Sequence, residues 1–195
     1  MGGRADSADQ NGVSVHREEA ALIILTGRLR LRPMERKDVD AFVRHLNDWD
    51  VQQWLTIPPF PYEHADGEAY LAVVQASHAT AHPTAFVIAD RTSDLALGAA
   101  SVEISEEAQG ELGYWLGREH WGRGLMKEAV AAIVRHAAAH PGIRRLVAVT
   151  DPENIRSQRV LSACGLADRG LRGRPQPSRR GSTLVRRYEL VFEPR

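Results

Sequence analysis

The sequence predicts a mixed α/β fold built on one mostly antiparallel sheet flanked by helices, and three observations predict it. Helical periodicity marks the first third, where Val39, Phe42, Val43 and Leu46 fall at i, i+3, i+4 and i+7. Three segments of strand period then follow in close succession, separated by the turn-like RTSD and EEAQG. A strand, a glycine turn, a long helix and another short apolar strand come next, the order of a crossover connection.

Taken in order, residues 1–20 are polar and aperiodic and read as a disordered tail, leaving 21–195 as a single domain. Leu22 to Leu31 reads as a strand, with Leu29 and Leu31 alternating against Arg28, Arg30 and Arg32. The helix carrying Val39 to Leu46 follows, and Asp50 to Leu55 adds a helical turn before the break IPPFPY. Glu63 to about His78 is a second helix with Tyr70, Leu71 and Val74 on its apolar side. Ala85–Ala89, Leu95–Ile104 and Glu111–Leu116 are then consecutive antiparallel strands. Leu125, Ala129 and Ile133, with Met126, Val130 and Val134, give the long helix a continuous apolar face that ends near His140 and Pro141. Leu146–Val149 is a short buried strand, Asn154–Cys164 a short helix stopped by Gly165, and Leu184–Phe192 a closing strand.

Composition narrows the function classes. The 195 residues are 43% hydrophobic and carry zero formal net charge, so a sizeable core is expected and nucleic acid or an anionic membrane is not the expected main partner. One cysteine, Cys164, excludes an internal disulfide framework and fits a reducing compartment. No apolar run approaches the roughly 20 residues that span a bilayer, and the opening MGGRADSADQNG lacks the order of a secretory signal, so a cytoplasmic location is expected.

The segment ELGYWLGREHWGRGLM, Glu111 to Met126, carries the most chemistry. Gly122 and Gly124 let the backbone approach a ligand, and the first amides of the helix that follows have no intrahelical acceptor and favour an anion. It is not a nucleotide P-loop: Gly117 and Gly122 have the right separation, but Arg123 and Gly124 stand where lysine and a hydroxyl residue are needed. It is not a dinucleotide fingerprint either, because Lys127 holds the place of the third glycine.

Four separated segments, in order, resemble the GNAT acetyltransferase family and its RimJ/RimL-like branch of ribosomal-protein N-terminal acetyltransferases. They are TGRLRLRPMERKDVD, ELGYWLGREHWGRGLMKEA, DPENIRSQRVLSACGL and RRYEL, spanning Thr26 to Leu190. The resemblance implies a GNAT-like central sheet split between Glu111–Leu116 and Leu146–Val149 to hold acetyl-CoA as cosubstrate. It implies that the coenzyme's pyrophosphate meets backbone amides from Trp121 through Gly122, Arg123, Gly124, Leu125 and Met126, with charge added by Arg123 and Lys127. A main-chain amide near Trp115 or Leu116 polarises the acetyl carbonyl in this reading, Asn154 bonds the pantetheine arm, and Ser157 serves the departing sulfur. Three positions depart from the family pattern: Glu119 where Gln or Arg is frequent, Leu161 where many members have a catalytic tyrosine, and Leu166 where an aromatic is usual. Glu119 is expected to face away from the phosphates.

The amine must be neutral to attack, and an α-amine, with a pKa of about 7.7 to 8.0, needs less help than a lysine at about 10.4. Glu111 is the first candidate base and Glu103 the second, and each is also readable as a solvated strand-end carboxylate. Asn154 and Ser157 are equally readable as capping residues. No metal is expected: His136 and His140 are spaced i, i+4 without a carboxylate motif and are expected on the exposed side of their helix, and Cys164 reads as a packed thiol. Trp49, Trp54, Phe60 and Tyr62 cluster near PPFPY and either wall the acceptor pocket or fill the core. Seven arginines between Arg169 and Arg187 read as a solvated flexible loop, with an acidic peptide, RNA or the coenzyme's 3′-phosphate as their alternative partners.

The expected activity is acetyl transfer from acetyl-CoA to a primary amine, a protein N-terminus or a small molecule, by direct attack in a ternary complex. An antibiotic-modifying amine acetyltransferase and a catalytically weak CoA-sensing or RNA-associated interaction protein are the alternatives. A homodimer is among the expectations, and a membrane partner is not.

Overall fold

The computed structural model describes residues 14–18, 21–105, 107–174 and 177–193. Nine strands, β1 (Ser14–Glu18), β2 (Ala21–Leu25), β3 (Leu29–Arg32), β4 (Ala85–Asp90), β5 (Ala96–Ile104), β6 (Gln109–Leu116), β7 (Arg145–Thr150), β8 (Ala167–Gly173) and β9 (Leu184–Val191), form one sheet in the order β1-β2-β3-β4-β5-β6-β7-β9-β8. Every neighbouring pair is antiparallel except β6 and β7. The helices are α1 (Val39–Leu46), α2 (Trp49–Gln52), α3 (His64–His78), α4 (Leu125–Ala139) and α5 (Ile155–Ala163).

The two faces of the sheet explain the sequence pattern. In β4, Phe86 and Ile88 pack with Val130 and Ile133 of α4, while Val87 and Ala89 pack with Phe42 of α1 and Val74 of α3. Both faces are buried, so β4 reads as a continuous apolar run rather than an alternating one. Ile133 is fully buried, a contribution of about 1.5 to 3 kcal/mol for a side chain of this size. Helix α3 begins at a reciprocal capping box between Glu63 and Asp66, and α4 stops at His140, the residue before Pro141.

Three expectations change. Leu22–Leu31 is not one strand: Thr26, Gly27 and Arg28 make a turn between β2 and β3, closed by the Thr26 amide on the Leu29 carbonyl at 3.0 Å. Within the segment read as a tail, Ser14–Glu18 pairs with β2, and residues 1–13, 19 and 20 lie outside the described residues. The arginine-rich stretch is largely a β8–β9 hairpin with specific partners rather than a free loop. Arg169 meets Glu189 at 3.2 Å, Arg186 meets Asp168 at 2.6 Å, and Arg187 donates to the Gln109 side-chain Oε1 at 3.1 Å. Arg179 donates to the Leu55 and Pro58 carbonyls, and Arg180 to Gln53 and Glu153 while stacking 4.6 Å from the Trp54 ring centroid. Charge density suggested solvation, but carboxylates and carbonyls of this chain lie within reach.

Candidate active site

The only parallel neighbours in the sheet among the described residues are also the pair that separates. β6 and β7 are in register at Gln109–Arg145, Gly110–Leu146 and Glu111–Val147, and past Glu111 each strand runs on without the other as partner. Leu112–Leu116 and Ala148–Thr150 therefore border a gap that opens toward the C-terminal ends of both strands.

Antiparallel pairing alternates the direction of successive amides. The Gly117 amide donates to the Leu97 carbonyl at 2.8 Å, so in the same register Trp115 exchanges hydrogen bonds with Ala99, and the amides of Tyr114 and Leu116 point away from β5, into the gap. Of the two amides named by the sequence, Leu116 is thus the one available there. Trp115 is committed on both counts, since its ring packs edge-on against Phe42 with centroids 4.8 Å apart.

At the mouth of the gap, Arg118–His120 forms a 3-10 turn, and Gly122 and Gly124 adopt left-handed φ values of 73° and 74° before α4 begins. Only glycine takes these angles without strain. The amides of Gly122, Arg123, Gly124, Leu125, Met126 and Lys127 have no acceptor among the described residues. Six such donors at the positive end of a fifteen-residue helix are a site for phosphate oxygens. The Trp121 amide does not join them, because it donates to Arg118 at 3.1 Å; its indole Nε1 donates to the Leu116 carbonyl at 2.7 Å. The free row starts one residue later than the sequence suggested and extends one residue further, to Lys127.

Glu119 turns away from that row, toward Arg44 at 3.4 Å, His120 at 3.3 Å and His45 at 4.0 Å. His45 is buried, and burial first, then Arg44 and His120, hold its pKa below the ordinary histidine value. The ligand atoms of His45, Glu119 and His120 lie within 4.8 Å of one another, and the cation among them is Arg44, whose guanidinium is 3.4 Å from both Glu119 and His45. Gly117 has to be glycine here, since a Cβ would lie 2.4 Å from the His45 ring.

Across the gap, Asn154 caps α5 by accepting the Ser157 amide at 3.1 Å through Oδ1, which leaves its Nδ2 without a partner among the described residues. The Ser157 hydroxyl lies 2.9 Å from the hydroxyl of Tyr114 on β6. Burial pushes the Tyr114 phenol well above its ordinary pKa, outweighing the hydrogen bond to Ser157. Arg156 stacks 4.7 Å from the Trp121 ring centroid, so α5 touches both β6 and the glycine loop. Tyr114 and Arg156 were not singled out by sequence reasoning; Leu161 carries no hydroxyl, and the phenol beside Ser157 comes from the strand.

Glu111 and Glu103 sit directly opposite each other on β6 and β5, both exposed, on the face that carries Gly113 and Trp115. Neither has an ion-pair partner among the described residues. Like charges in this position oppose sheet formation. Of the aromatic cluster, Tyr62 is buried, whereas Trp49 and Phe60 pack together, about half exposed, with centroids 5.6 Å apart.

His136 is not on the exposed side as expected: its Nε2 contacts the Pro83 carbonyl at 2.6 Å and its ring packs edge-on against Phe86. Burial lowers the pKa of His136 and of His140, overriding the helix C-terminus. Cys164 fits a packed thiol, with Sγ 3.5 Å from the Lys127 carbonyl and its pKa raised by burial. No helix among the described residues is long and apolar enough to cross a membrane.

Comparisons with known proteins bear on the family and the fold. Residues 28–167 match the acetyltransferase (GNAT) domain family. An uncharacterized N-acetyltransferase p20 of Bacillus licheniformis is 27% identical over 150 residues, 76% of this chain and 84% of that protein. RimL, a ribosomal L7/L12 alpha-N-protein acetyltransferase solved in complex with coenzyme A, superposes with a TM-score of 0.74 at 22% identity, covering 87% of this chain and 98% of its own. The microcin C7 self-immunity acetyltransferase MccE, solved with acetyl-CoA and AMP, gives 0.73 at 18% identity, over 86% and 94% of the two chains.

Proposed function

This chain belongs to the acetyltransferase (GNAT) family, and we propose that it transfers the acetyl group of acetyl-CoA directly to a primary amine, a protein N-terminal α-amine above all. The observation that carries the donor half is the row of unpartnered amides from Gly122 to Lys127 beside the β6–β7 gap.

The residues divide the work. The Gly122–Lys127 amides hold the pyrophosphate, and Asn154 Nδ2 is free to bond the pantetheine arm. As the amine attacks, negative charge gathers on the acetyl oxygen, and the Tyr114 and Leu116 amides are the donors aimed into the gap to meet it. The amine loses its proton to Glu111, directly or through water, with Glu103 as the neighbouring carboxylate. When the carbon–sulfur bond breaks, the Ser157 hydroxyl, which Tyr114 orients, donates a hydrogen bond to the leaving thiolate, and the thiolate is protonated through solvent as Glu111 releases the proton taken from the amine. An α-amine suits this cleft because it is already partly neutral near pH 8, and solvent-exposed carboxylates need extract little more. The activity for which RimL is named, that of an alpha-N-protein acetyltransferase, fits the same choice through fold likeness.

The test is thiol release from acetyl-CoA across a panel of short peptides with free N-termini, lysine side-chain amines and polycationic drugs. Turnover concentrated on N-terminal peptides supports the reading. Folded protein that binds acetyl-CoA but releases no thiol with any amine removes the catalytic half of it.

A further inference from the structure

The turn between β2 and β3 lies far from the glycine loop in sequence, yet it grips it. Three donors converge on the Glu128 carboxylate in the first turn of α4. The Thr26 hydroxyl at 2.5 Å and the Arg28 amide at 2.8 Å reach Oε1, and Arg28 Nε reaches Oε2 at 2.7 Å. Burial acts to raise the Glu128 pKa, but these bonds outweigh it and hold the group below the usual carboxylate range. The same guanidinium then spends Nη1 on the Arg123 carbonyl at 2.8 Å.

That last bond has a geometric consequence. In a trans peptide the C=O and the following N–H point to opposite sides. With its carbonyl held toward Arg28, the Arg123–Gly124 peptide must present the Gly124 amide on the other side, where no described residue accepts it. Gly124 has a left-handed φ of 74°, and α4 has no side-chain N-cap, so nothing at the helix start itself selects this orientation. Glycine is the residue most free to turn its flanking peptides.

We propose that Arg28, braced by Thr26 and Glu128, is a positioning residue for the donor's pyrophosphate: it locks the Arg123–Gly124 peptide plane so that the Gly124 amide and its successors face the phosphate oxygens. The inference rests on the acetyl-CoA reading of the loop. A lysine cannot replace Arg28, because one ammonium cannot span Glu128 and the Arg123 carbonyl as a planar fork does.

The experiment compares acetyl-CoA with S-acetylpantetheine, which lacks the pyrophosphate, as donors for wild type, Arg28→Ala, Arg28→Lys and Thr26→Val. Arg28→Ala and Arg28→Lys are expected to lower kcat/KM for acetyl-CoA about tenfold, chiefly through KM, and to leave S-acetylpantetheine turnover unchanged. Thr26→Val is expected to show the same selective pattern about two- to threefold. An equal fall for both donors makes the contact merely structural and overturns the proposal, as does no fall for either. Calorimetry with CoA separates the two levels: wild type that fails to bind CoA overturns the acetyl-CoA reading and the clamp with it. Wild type that binds CoA no better than Arg28→Ala overturns the clamp alone.

Discussion

The Tyr114 hydroxyl lies 2.9 Å from the Ser157 hydroxyl, joining β6 to the first turn of α5 across the gap where β6 and β7 part. Ser157→Ala removes the hydrogen bond proposed for the leaving thiolate and is expected to lower kcat about a hundredfold with little change in KM for acetyl-CoA. Tyr114→Phe keeps the ring but frees the serine, and a fall in kcat of about three- to tenfold is expected. Steady-state kinetics on one N-terminal peptide checks both, and a larger effect for Tyr114→Phe than for Ser157→Ala would reverse the assignment of donor and orienter.

Glu111 and Glu103 oppose each other across β5 and β6, so activity and stability should move in opposite directions when either charge is removed. Glu111→Gln is expected to lower kcat/KM by about a hundredfold near pH 7, with partial recovery at higher pH as the free amine loses its own proton. The same variant should unfold at a slightly higher urea concentration, by about 0.5 kcal/mol or less, because a like-charge pair is gone. Glu103→Gln should give the stability gain with a smaller kinetic loss.

Arg32 is fully buried and forks onto Asp38, with Nη1 at 2.7 Å and Nη2 at 2.9 Å, while Nε reaches Asp94 at 2.8 Å. Asp38→Ala leaves a buried guanidinium short of a carboxylate and is expected to cost about 3 to 5 kcal/mol in urea denaturation. Replacing Arg32 and Asp38 together by apolar residues should cost much less than the two single changes combined.

Around Phe86, His78 and His136 pack edge-on from α3 and α4, and His140 lies beside His82. Burial is the first cause that lowers the pKa of His78, His136 and His140 below 6.5. The sign follows: below pH 6.5 the unfolded chain takes up protons that the folded chain refuses, so stability present above that pH is lost as pH falls toward the folded values. Each group steepens the loss by up to about 1.4 kcal/mol per pH unit. Thermal melts from pH 7.5 to 5 should show a falling Tm, and His136→Phe should flatten that slope.

What the sequence disclosed follows from where each signal lives. β4 to β6 and α4 announced themselves through burial, which writes apolar residues at period two or 3.6. β8 did not, because ADRGLRG is exposed along almost all its length and is held by edge pairing with β9, leaving no apolar alternation to read. The β2–β3 turn was hidden inside a run of alternating leucines and arginines, since Thr26 closes it with its own hydroxyl rather than with a proline or an Asn-Gly pair. The glycine loop was legible because left-handed φ demands a particular residue. Tyr114 reaching Ser157, and the Trp121 amide lost to Arg118, depend on how strand, helix and turn meet in space.

The proposed donor side of the cleft is made of main-chain amides, and every residue type except proline carries one. Its genetic tolerance should therefore be lopsided. Arg123, Met126 and Lys127 can drift with modest effect on acetyl-CoA use, whereas Gly122 and Gly124 cannot, and proline is barred throughout. The proposed acceptor side, written in side chains such as Glu103 and Glu111, has no such insulation, so descendants of this chain can change what they acetylate far more readily than what they acetylate with.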